Sequence, residues 1–332
     1  MTVVIPTLEA GALLAECLRG LEDQTRRDFE IVVVDNSGKG AVRGDANVPQ
    51  EVEVIENTRN VGYGSAVNQA VKRSRAPYVA VLNDDAKPHP RWLESLVAAM
   101  ESGERVGMCA SRVLLAGEGT LDSAGMLLCA DGSSKQRGHG LRPEEFSDSG
   151  PVLLPSGSAA LYRRKMLEET GGFDDRFFLY CEDTDLGLRG IWQGWQCVYA
   201  ADAVVDHQYS RTAGRVSALK AYYVERNRLF VVVKNFPLRM LLKVPTGTIE
   251  RYFWHGLFLL GGSGAAARFQ GEGSSIIHLV FLIVRAHFAL LKHGPALLGE
   301  RRRILRGARI RAAEFERICG RHSISPREVA AL

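Results

Sequence analysis

Over the first hundred positions the apolar residues follow two alternating patterns. TVVIP at 2–6 is a short apolar run. Leu13, Leu14, Cys17, Leu18 and Leu21 then recur at helical spacing and share one face. FEIVVVDNS at 29–37 is a continuous β-branched run, the kind that suits a strand covered on both faces of a parallel sheet. VEVIEN at 52–57 predicts a further strand, 62–75 a helix opening on a Gly-rich turn, 77–85 a buried strand and 90–102 a helix with Pro at its start. Strand and helix alternate, which predicts an open α/β sheet. Ligands of such sheets sit at the carboxyl ends of the strands. Asp35 and Asn83-Asp84-Asp85 close two of the apolar runs, so they are expected to share one crevice.

The pattern weakens at 104–150, which is Gly-rich. VGMCASRVLL and LDSAGMLLCA give faint strand signals, and the stretch reads as loops and edge strands. A strand and helix return at 153–167, EDTDLGLRGIWQGW reads as a helix with acids at its start, and 198–210 as a strand or strand pair. Beyond 211 the texture changes. KAYYVERNRLFVVVKNF at 220–236 is a strong helix pattern, and RMLLKV and ERYFWHGLFLL predict more helix. The most apolar stretch is 274–293, but its uncharged run stops at Val284 because Arg285 follows. A spanning helix needs about 20 mostly apolar residues, so an interfacial or buried amphipathic helix is expected. We therefore expect two domains, 1–212 and 213–332, the second a helical region that meets a membrane surface or forms an oligomer contact.

With 332 residues, 46% of them hydrophobic, the chain can bury a full core. The net charge of +4 hides an asymmetry: residues 1–210 carry −10 and residues 211–332 carry +14. Six arginines fall within ERRRILRGARIR at 300–311, beside the apolar stretch. That combination suits an anionic membrane surface. It lacks the interleaved aromatics of a nucleic-acid-binding tail, so no nucleic acid partner is expected. MTVVIPT reads as a strand and not as a secretory leader. The six cysteines form no CxxC pair and read as free thiols of a reducing cytosol.

The candidate chemistry is acidic. Gly171 to Trp195 gathers Asp174, Glu182, Asp183 and Asp185 among aromatic neighbours, where a carboxylate costs free energy unless it is paired, hydrogen-bonded or metal-bound. Acids at a helix start are also favoured by the helix dipole, so plain capping stays open. Adjacent acids such as Asp84-Asp85 at a strand end can hold Mg²⁺ or Mn²⁺. NVGYG at 60–64 opens a helix whose N-terminus favours anions. The dinucleotide fingerprint and the phosphate-binding GxxxxGK[ST] loop are both missing.

VVIPT, VVVDNS, NVGYG with Asn68, LNDD, GSAALYRRKMLEETGGFDDRFFLYCEDTDLGLR and VVDHQYS occur in the order seen in family-2 glycosyltransferases. Over about residues 1–236 the chain resembles the bacterial rhamnosyltransferase-like branch that builds surface polysaccharide. The resemblance implies the GT-A fold, an α/β sheet binding a nucleotide-diphospho-sugar, followed here by a helical, basic C-terminal extension. It implies an inverting, metal-dependent, non-processive transfer of a sugar such as rhamnose to a glycan or lipid-linked acceptor. The donor would be a dTDP-, UDP- or GDP-sugar, and the enzyme would be cytoplasmic, peripheral at the inner face of the cell membrane. Asp183 matches the general base, with Glu182 and Asp185 supporting it or positioning the acceptor. Pro6, Thr7 and Asp35 match positions around the nucleoside, Asn60, Gly62 and Asn68 lie near the nucleotide, and Asp84 faces sugar or ribose. Asp85 and His207 match the ligands of the divalent metal. Arg226 or Arg228 is a candidate phosphate contact. The processive QxxRW motif is missing, and Glu9 stands where an Asn is common. Two other readings stay open: a catalytically silent sugar-nucleotide-binding scaffold, and a nucleotidyltransferase.

Overall fold

A computed structural model describes residues 1–208, 217–271 and 275–332. The expected domain boundary at 212/213, the last two residues of the strand read at 198–210, and residue 274 lie outside the described residues. The chain divides into two compact units, Met1–Met126 with Gln136–Thr212, and Leu127–Lys135 with Ala213–Leu332.

In the first unit the elements run β1 (Thr2–Thr7), α1 (Ala12–Glu22), β2 (Glu30–Asp35), β3 (Glu53–Glu56), α2 (Tyr63–Arg73), β4 (Tyr78–Leu82), β5 (Ala86–Pro88), α3 (Trp92–Glu101), β6 (Val106–Leu115) and β7 (Leu121–Ser123). Strands β8 (Met126–Cys129) and β9 (Ser134–Gln136) lead through the second unit, and the first resumes with β10 (Gly150–Val152), β11 (Ala159–Arg163), α4 (Arg164–Thr170), α5 (Glu182–Trp192) and β12 (Gln196–His207). Its ten-stranded sheet has the order β10-β12-β6-β11-β4-β1-β2-β3, with β5 beside β12 and β7 beside β6. β1 pairs in parallel with β2 and with β4, so strand order reverses at β1. β11 runs antiparallel between β4 and β6, making the sheet mixed.

The continuous apolar runs follow from a sheet covered on both faces. Val3, Ile5, Val33, Ala80 and Leu82 pack on one face with Leu14, Leu18, Leu93 and Leu96 of α1 and α3. Val4, Val32, Val34, Val79 and Val81 pack on the other with Ala66 and Val67 of α2, Met166 of α4 and Leu186 of α5. Successive strand residues point to opposite faces, so no position is left for a polar side chain until the strand ends.

The stretch read as loops and edges is corrected by β6, a ten-residue strand between β12 and β11 in the sheet interior. Its pattern was broken by small residues that packing requires. A Cβ on Gly107 would stand 2.9 Å from the Trp195 ring, and Ser111 Oγ accepts the Trp92 indole N–H at 2.8 Å.

The second unit comprises α6 (Ala218–Asn235), α7 (Leu238–Leu260), α8 (Gly264–Gly271), α9 (Ile276–Arg306), α10 (Ala312–Arg321), β13 (Ser323–Ile324) and α11 (Pro326–Ala331). β13 pairs with β8, and β8 with β9, in a small sheet. Residues 127–135 belong here because Asp131 is buried in an ionic cluster. Arg251 Nε donates to Asp131 Oδ2 at 2.6 Å and Arg251 Nη2 to Glu225 Oε2 at 2.8 Å. Arg228 Nη1 donates to the Asp131 carbonyl, and its Nη2 to Glu225 Oε1, each at 2.5 Å. Tyr252 completes the cluster on Glu225 Oε1 at 2.8 Å. Burial pushes the Glu225 carboxyl up, but the two guanidinium charges outweigh it and hold it well below the usual range. Arg228 is thus 1% exposed and committed to carboxylates, not to a phosphate.

Candidate active site

The carboxyl ends of β1, β2 and β4 carry Thr7, Asp35 and Asn83-Asp84-Asp85, as the reversal at β1 requires. Pro6 lies inside β1, paired with Val34. Thr7 Oγ1 stands 2.5 Å from Asp84 Oδ2 and 2.6 Å from the Glu9 carbonyl. One hydroxyl hydrogen cannot serve both acceptors. Burial, reinforced by the charges of Asp85 and Glu9, raises Asp84 to about 6 against the hydrogen bond from Thr7.

Asp35 is fully buried and turned into its own loop. Its Oδ1 accepts Ser37 N–H at 2.8 Å and its Oδ2 accepts Val42 N–H at 3.0 Å. Burial pushes this carboxyl up, but the hydrogen bonds win and leave it below its ordinary value. Here Asp35 shapes the loop after β2.

Asp85 and His207 come together. His207 ends β12, opposite Ala86 of β5, and its Nε2 lies 3.2 Å from Asp85 Oδ1. Asp85 Oδ1 is buried and, His207 apart, has no polar partner among the described residues. On the other side of the ring, His207 Nδ1 is 2.8 Å from Asp122 Oδ2. Burial pushes the His207 imidazole down, but its bonds to Asp122 and Asp85 hold it up at about 9. Two buried carboxylates facing one ring mark a place built for positive charge, and an ion ligated by Nε2 would take the place of the proton there. Among the described residues no group of three or more His, Cys, Asp or Glu side chains is arranged to hold a metal. Asp85 and His207 therefore fit a divalent ion only as two donors, with substrate oxygens and water supplying the rest, as Mg²⁺-type sites usually do.

The acids that open α5 separate into three roles. Asp185 is fully buried and pairs with Arg189, Oδ2 to Nε 2.8 Å, while Arg189 Nη1 donates to the Thr170 carbonyl at 2.8 Å. Asp185 is a strut inside the helix, its carboxylate taken up by Arg189. Asp183 Oδ2 accepts Gly157 N–H at 2.9 Å, and its Oδ1 accepts Thr184 N–H at 2.6 Å. Glu182 Oε2 is buried with no hydrogen bond among the described residues. Burial and the Asp183 charge raise Glu182 to about 8, and burial raises Asp183 as well. Two backbone N–H donors converge on Asp183 and none reaches Glu182 Oε2, an arrangement that favours the ionised form of Asp183 over that of Glu182. Asp174, farther upstream, caps a short turn and pairs with Arg176 at 2.7 Å.

The chain entering α5 is strained. Phe178, Tyr180 and Cys181 have φ of 63°, 69° and 63°, a region that costs a non-glycine residue about 1–3 kcal/mol. The NVGYG turn holds it there. Tyr63 N–H donates to the Phe178 carbonyl at 2.8 Å, and Asn60 Oδ1 accepts Gly62 N–H at 2.8 Å. Gly62 has φ 89°, and a Cβ on it would stand 2.5 Å from the Phe178 oxygen. Asn68 is a second strut. Its Oδ1 accepts Phe173 N–H at 3.0 Å and its Nδ2 donates to the Phe173 carbonyl at 2.8 Å. Asn60 and Asn68 line a shallow depression of about 550 Å³, whereas Asp85 lines a different cavity of about 240 Å³.

What joins the acidic pairs is the turn at Ser156–Ser158, which the sequence did not single out. Asn83 N–H donates to the Ser158 carbonyl at 2.9 Å, Gly157 N–H to Asp183, and Tyr63 Oη to the Gly157 carbonyl at 2.5 Å. The Tyr63 phenol is pushed well up by burial and further by Tyr162, Glu182, Asp183 and Asp84. Tyr63 and Gly157 lie inside the NVGYG and GSAALYRR motifs but were given no role of their own, and Asp122 was not singled out at all.

Residues 2–171 match the sequence model of Glycosyl transferase family 2. The chain is similar to an N-acetylglucosaminyl-diphospho-decaprenol L-rhamnosyltransferase of Mycobacterium tuberculosis, 28% identical over 65% of this chain and 78% of the relative. It is similar to the O-antigen chain rhamnosyltransferase WbaN of Salmonella anatum, 22% identical over 64% of this chain and 67% of the relative. Among solved structures, GalNAc-T7 with UDP, GalNAc and Mn²⁺ matches at TM-score 0.59 and 17% identity, covering 75% of this chain and 50% of that one. The mannosyltransferase PcManGT from Pyrobaculum calidifontis, in complex with GDP-Man and Mn²⁺, matches at TM-score 0.51 and 18% identity, covering 94% of this chain and 86% of that one.

Proposed function

The chain belongs to glycosyl transferase family 2, and from that premise we propose an inverting, non-processive transfer of rhamnose to a lipid-linked glycan acceptor, with Asp183 as general base. The observation that carries the reading is Asp183 itself: a buried carboxylate beside Glu182 that accepts two backbone N–H groups and is tied through Gly157 and Ser158 to the strand end bearing Asp84 and Asp85. The acceptor oxygen forms a bond to the anomeric carbon as its proton passes to Asp183. The bond from that carbon to the diphosphate breaks, and its electron pair leaves with the phosphate oxygen. A base raised by burial accepts the proton more readily than an exposed aspartate would.

Asp85 and His207 would hold a divalent cation, which when bound neutralises charge on the diphosphate. Sugar and acceptor follow the rhamnosyltransferase relatives, one of which is named for a decaprenol-diphosphate acceptor. That acceptor class requires a membrane, and α9 supports peripheral attachment. Ile277, Phe281, Val284, Phe288, Leu291, Leu298 and Leu305 are exposed and recur at spacings of three, four and seven along the helix. Leu282, Ala286, Leu297 and Ile304 are buried on the opposite side. Arg285, which interrupts the apolar run, stacks on the Tyr222 ring of α6 at 4.5 Å and so leaves the stripe apolar. α9 is long and apolar enough to cross a membrane. Packing against a charged α6 favours a helix lying in the membrane plane instead.

The test is calorimetry of UDP, dTDP and GDP with and without Mn²⁺, alongside Asp183→Asn. Metal-dependent binding of one diphosphate, with that binding kept and transfer lost in Asp183→Asn, supports the reading. Binding of none favours a silent scaffold, and unchanged turnover in Asp183→Asn removes Asp183 as base.

A further inference from the structure

Asp122 is 1% exposed and carries a carboxylate that the chemistry above does not use. It lies in β7, which takes over from β11 as the neighbour of β6. β11 pairs with β6 at Met108–Ala110, and β7 with Val113 and Leu114. In that short ladder Val113 opposes Ser123 and Leu114 opposes Leu121, so Asp122 is the extra residue of a bulge. A bulge re-aims one side chain and is common beside functional sites. This one aims Asp122 at His207: Oδ2 is 2.8 Å from His207 Nδ1. Its other oxygen is engaged as well, with Oδ1 3.2 Å from His139 Nδ1. His207 is fixed from its backbone too, because its carbonyl accepts Ala116 N–H at 3.0 Å.

An imidazole that ligates through one nitrogen must carry its proton on the other. A carboxylate at Nδ1 selects that tautomer, orients the ring and makes Nε2 a stronger donor. Nε2 is the nitrogen that faces Asp85, at 3.2 Å. We propose that Asp122 is a positioning residue for the divalent-cation site, holding His207 with Nδ1 protonated and Nε2 directed at the ion shared with Asp85. This rests on the reading of Asp85 and His207 as metal donors. His139 on the second oxygen holds Asp122 in place and takes no part in ligation.

The experiment is an electron paramagnetic resonance titration of the full chain with Mn²⁺, in the presence of whichever nucleoside diphosphate wild type binds. Asp122→Asn is expected to weaken Mn²⁺ by about 10–100-fold, with the melting temperature little changed. His139→Gln is expected to keep wild-type affinity. Failure of wild type to bind Mn²⁺ sinks the metal reading and this inference together. Wild-type binding that Asp122→Asn retains in full sinks this inference alone, as does an equal loss in both variants. Should Asp122→Asn not fold, ¹⁵N spectra of wild-type His207 decide. Protonated Nδ1 with an Nε2 resonance that moves on adding Zn²⁺ supports the proposal, and unprotonated Nδ1 overturns it.

Discussion

Gly157 and Asp183 are joined by a 2.9 Å hydrogen bond, amide to Oδ2, and a Cβ on Gly157 would stand 3.3 Å from that same oxygen. The contact is tight but not impossible, and the backbone at Gly157 is one that alanine can adopt. Gly157→Ala should therefore fold, losing less than about 1 kcal/mol, while pushing the Asp183 carboxylate by a few tenths of an ångström. Catalysis is steep in geometry, with about 10²-fold lost per ångström, so kcat is expected to fall several-fold with KM for the donor unchanged. Steady-state kinetics with thermal melts check this. A variant with wild-type kcat would show that Asp183 is not held by this amide during turnover.

Glu182 and Asp183 test each other. Burial and the Asp183 charge raise the Glu182 carboxyl to about 8, and no donor reaches its Oε2, so a proton held by the pair at neutral pH is expected on Glu182 rather than on Asp183. Glutamine resembles that protonated acid, so Glu182→Gln should keep most of kcat at pH 7, whereas Asp183→Asn should lose about 10²–10⁴-fold. The sign for stability follows from linkage. A group raised in the folded state stabilises fully below its unfolded pKa, and that stability is lost as pH rises through the folded value. Wild type should thus lose stability between about pH 5 and 8 more than Glu182→Gln does, read by urea melts across that window. Activity should run the other way and fall on the acid side as Asp183 gains a proton. A larger kcat loss in Glu182→Gln than in Asp183→Asn would make Glu182 the base.

The parallel half of the sheet was legible because Val3, Val33 and Val81 repeat one requirement, apolar side chains on both faces. β6 was not, because Gly107 and Ser111 answer to Trp195 and Trp92, partners distant in sequence. The same limit applies at the site. Asp84, Asp85 and Asp183 stand out as acids where acids are costly, but sequence cannot tell which acid is already paired. Asp185 looks like its neighbours until Arg189, one turn on, neutralises it. Asn68 reads as a ligand contact, and sequence gives no sign that its amide also braces the Phe173 backbone. Asp122 gave no signal because a bulge, not a motif, aims it.

Gly62 is where the NVGYG turn meets the strained entry to α5. It combines φ of 89° with a Cβ position 2.5 Å from the Phe178 oxygen and 2.8 Å from the Phe178 Cα. Alanine there must displace backbone, which no rotamer change can relieve. Gly62→Ala should cost about 1–3 kcal/mol from the left-handed backbone alone, and more from the clash. The Phe178–Cys181 segment would shift and carry Glu182 and Asp183 with it, so activity should fall beyond what the lost stability explains. Denaturant melts and kinetics well below the melting temperature check both parts. Full activity in a destabilised but folded Gly62→Ala would mean that the strained segment does not place the acids.

The stripe on α9 makes the membrane reading testable without touching the site. Phe281 and Phe288 are 60% and 66% exposed, two turns apart on the face opposite Leu282 and Ala286. Burying an aromatic side chain in the acyl boundary contributes about 1.5–3 kcal/mol, so Phe281→Glu with Phe288→Glu should weaken binding to phosphatidylglycerol vesicles by at least about 100-fold. Residues 211–332 carry +14, a charge that favours an anionic surface and opposes pairing of two copies through this face. Binding of wild type should therefore fall as salt rises. Turnover on a water-soluble acceptor should be the same in the double variant. Sedimentation with vesicles and gel filtration separate the outcomes. Wild type that never sediments, or a double variant that changes only from dimer to monomer, would make the stripe a contact between copies rather than a membrane face.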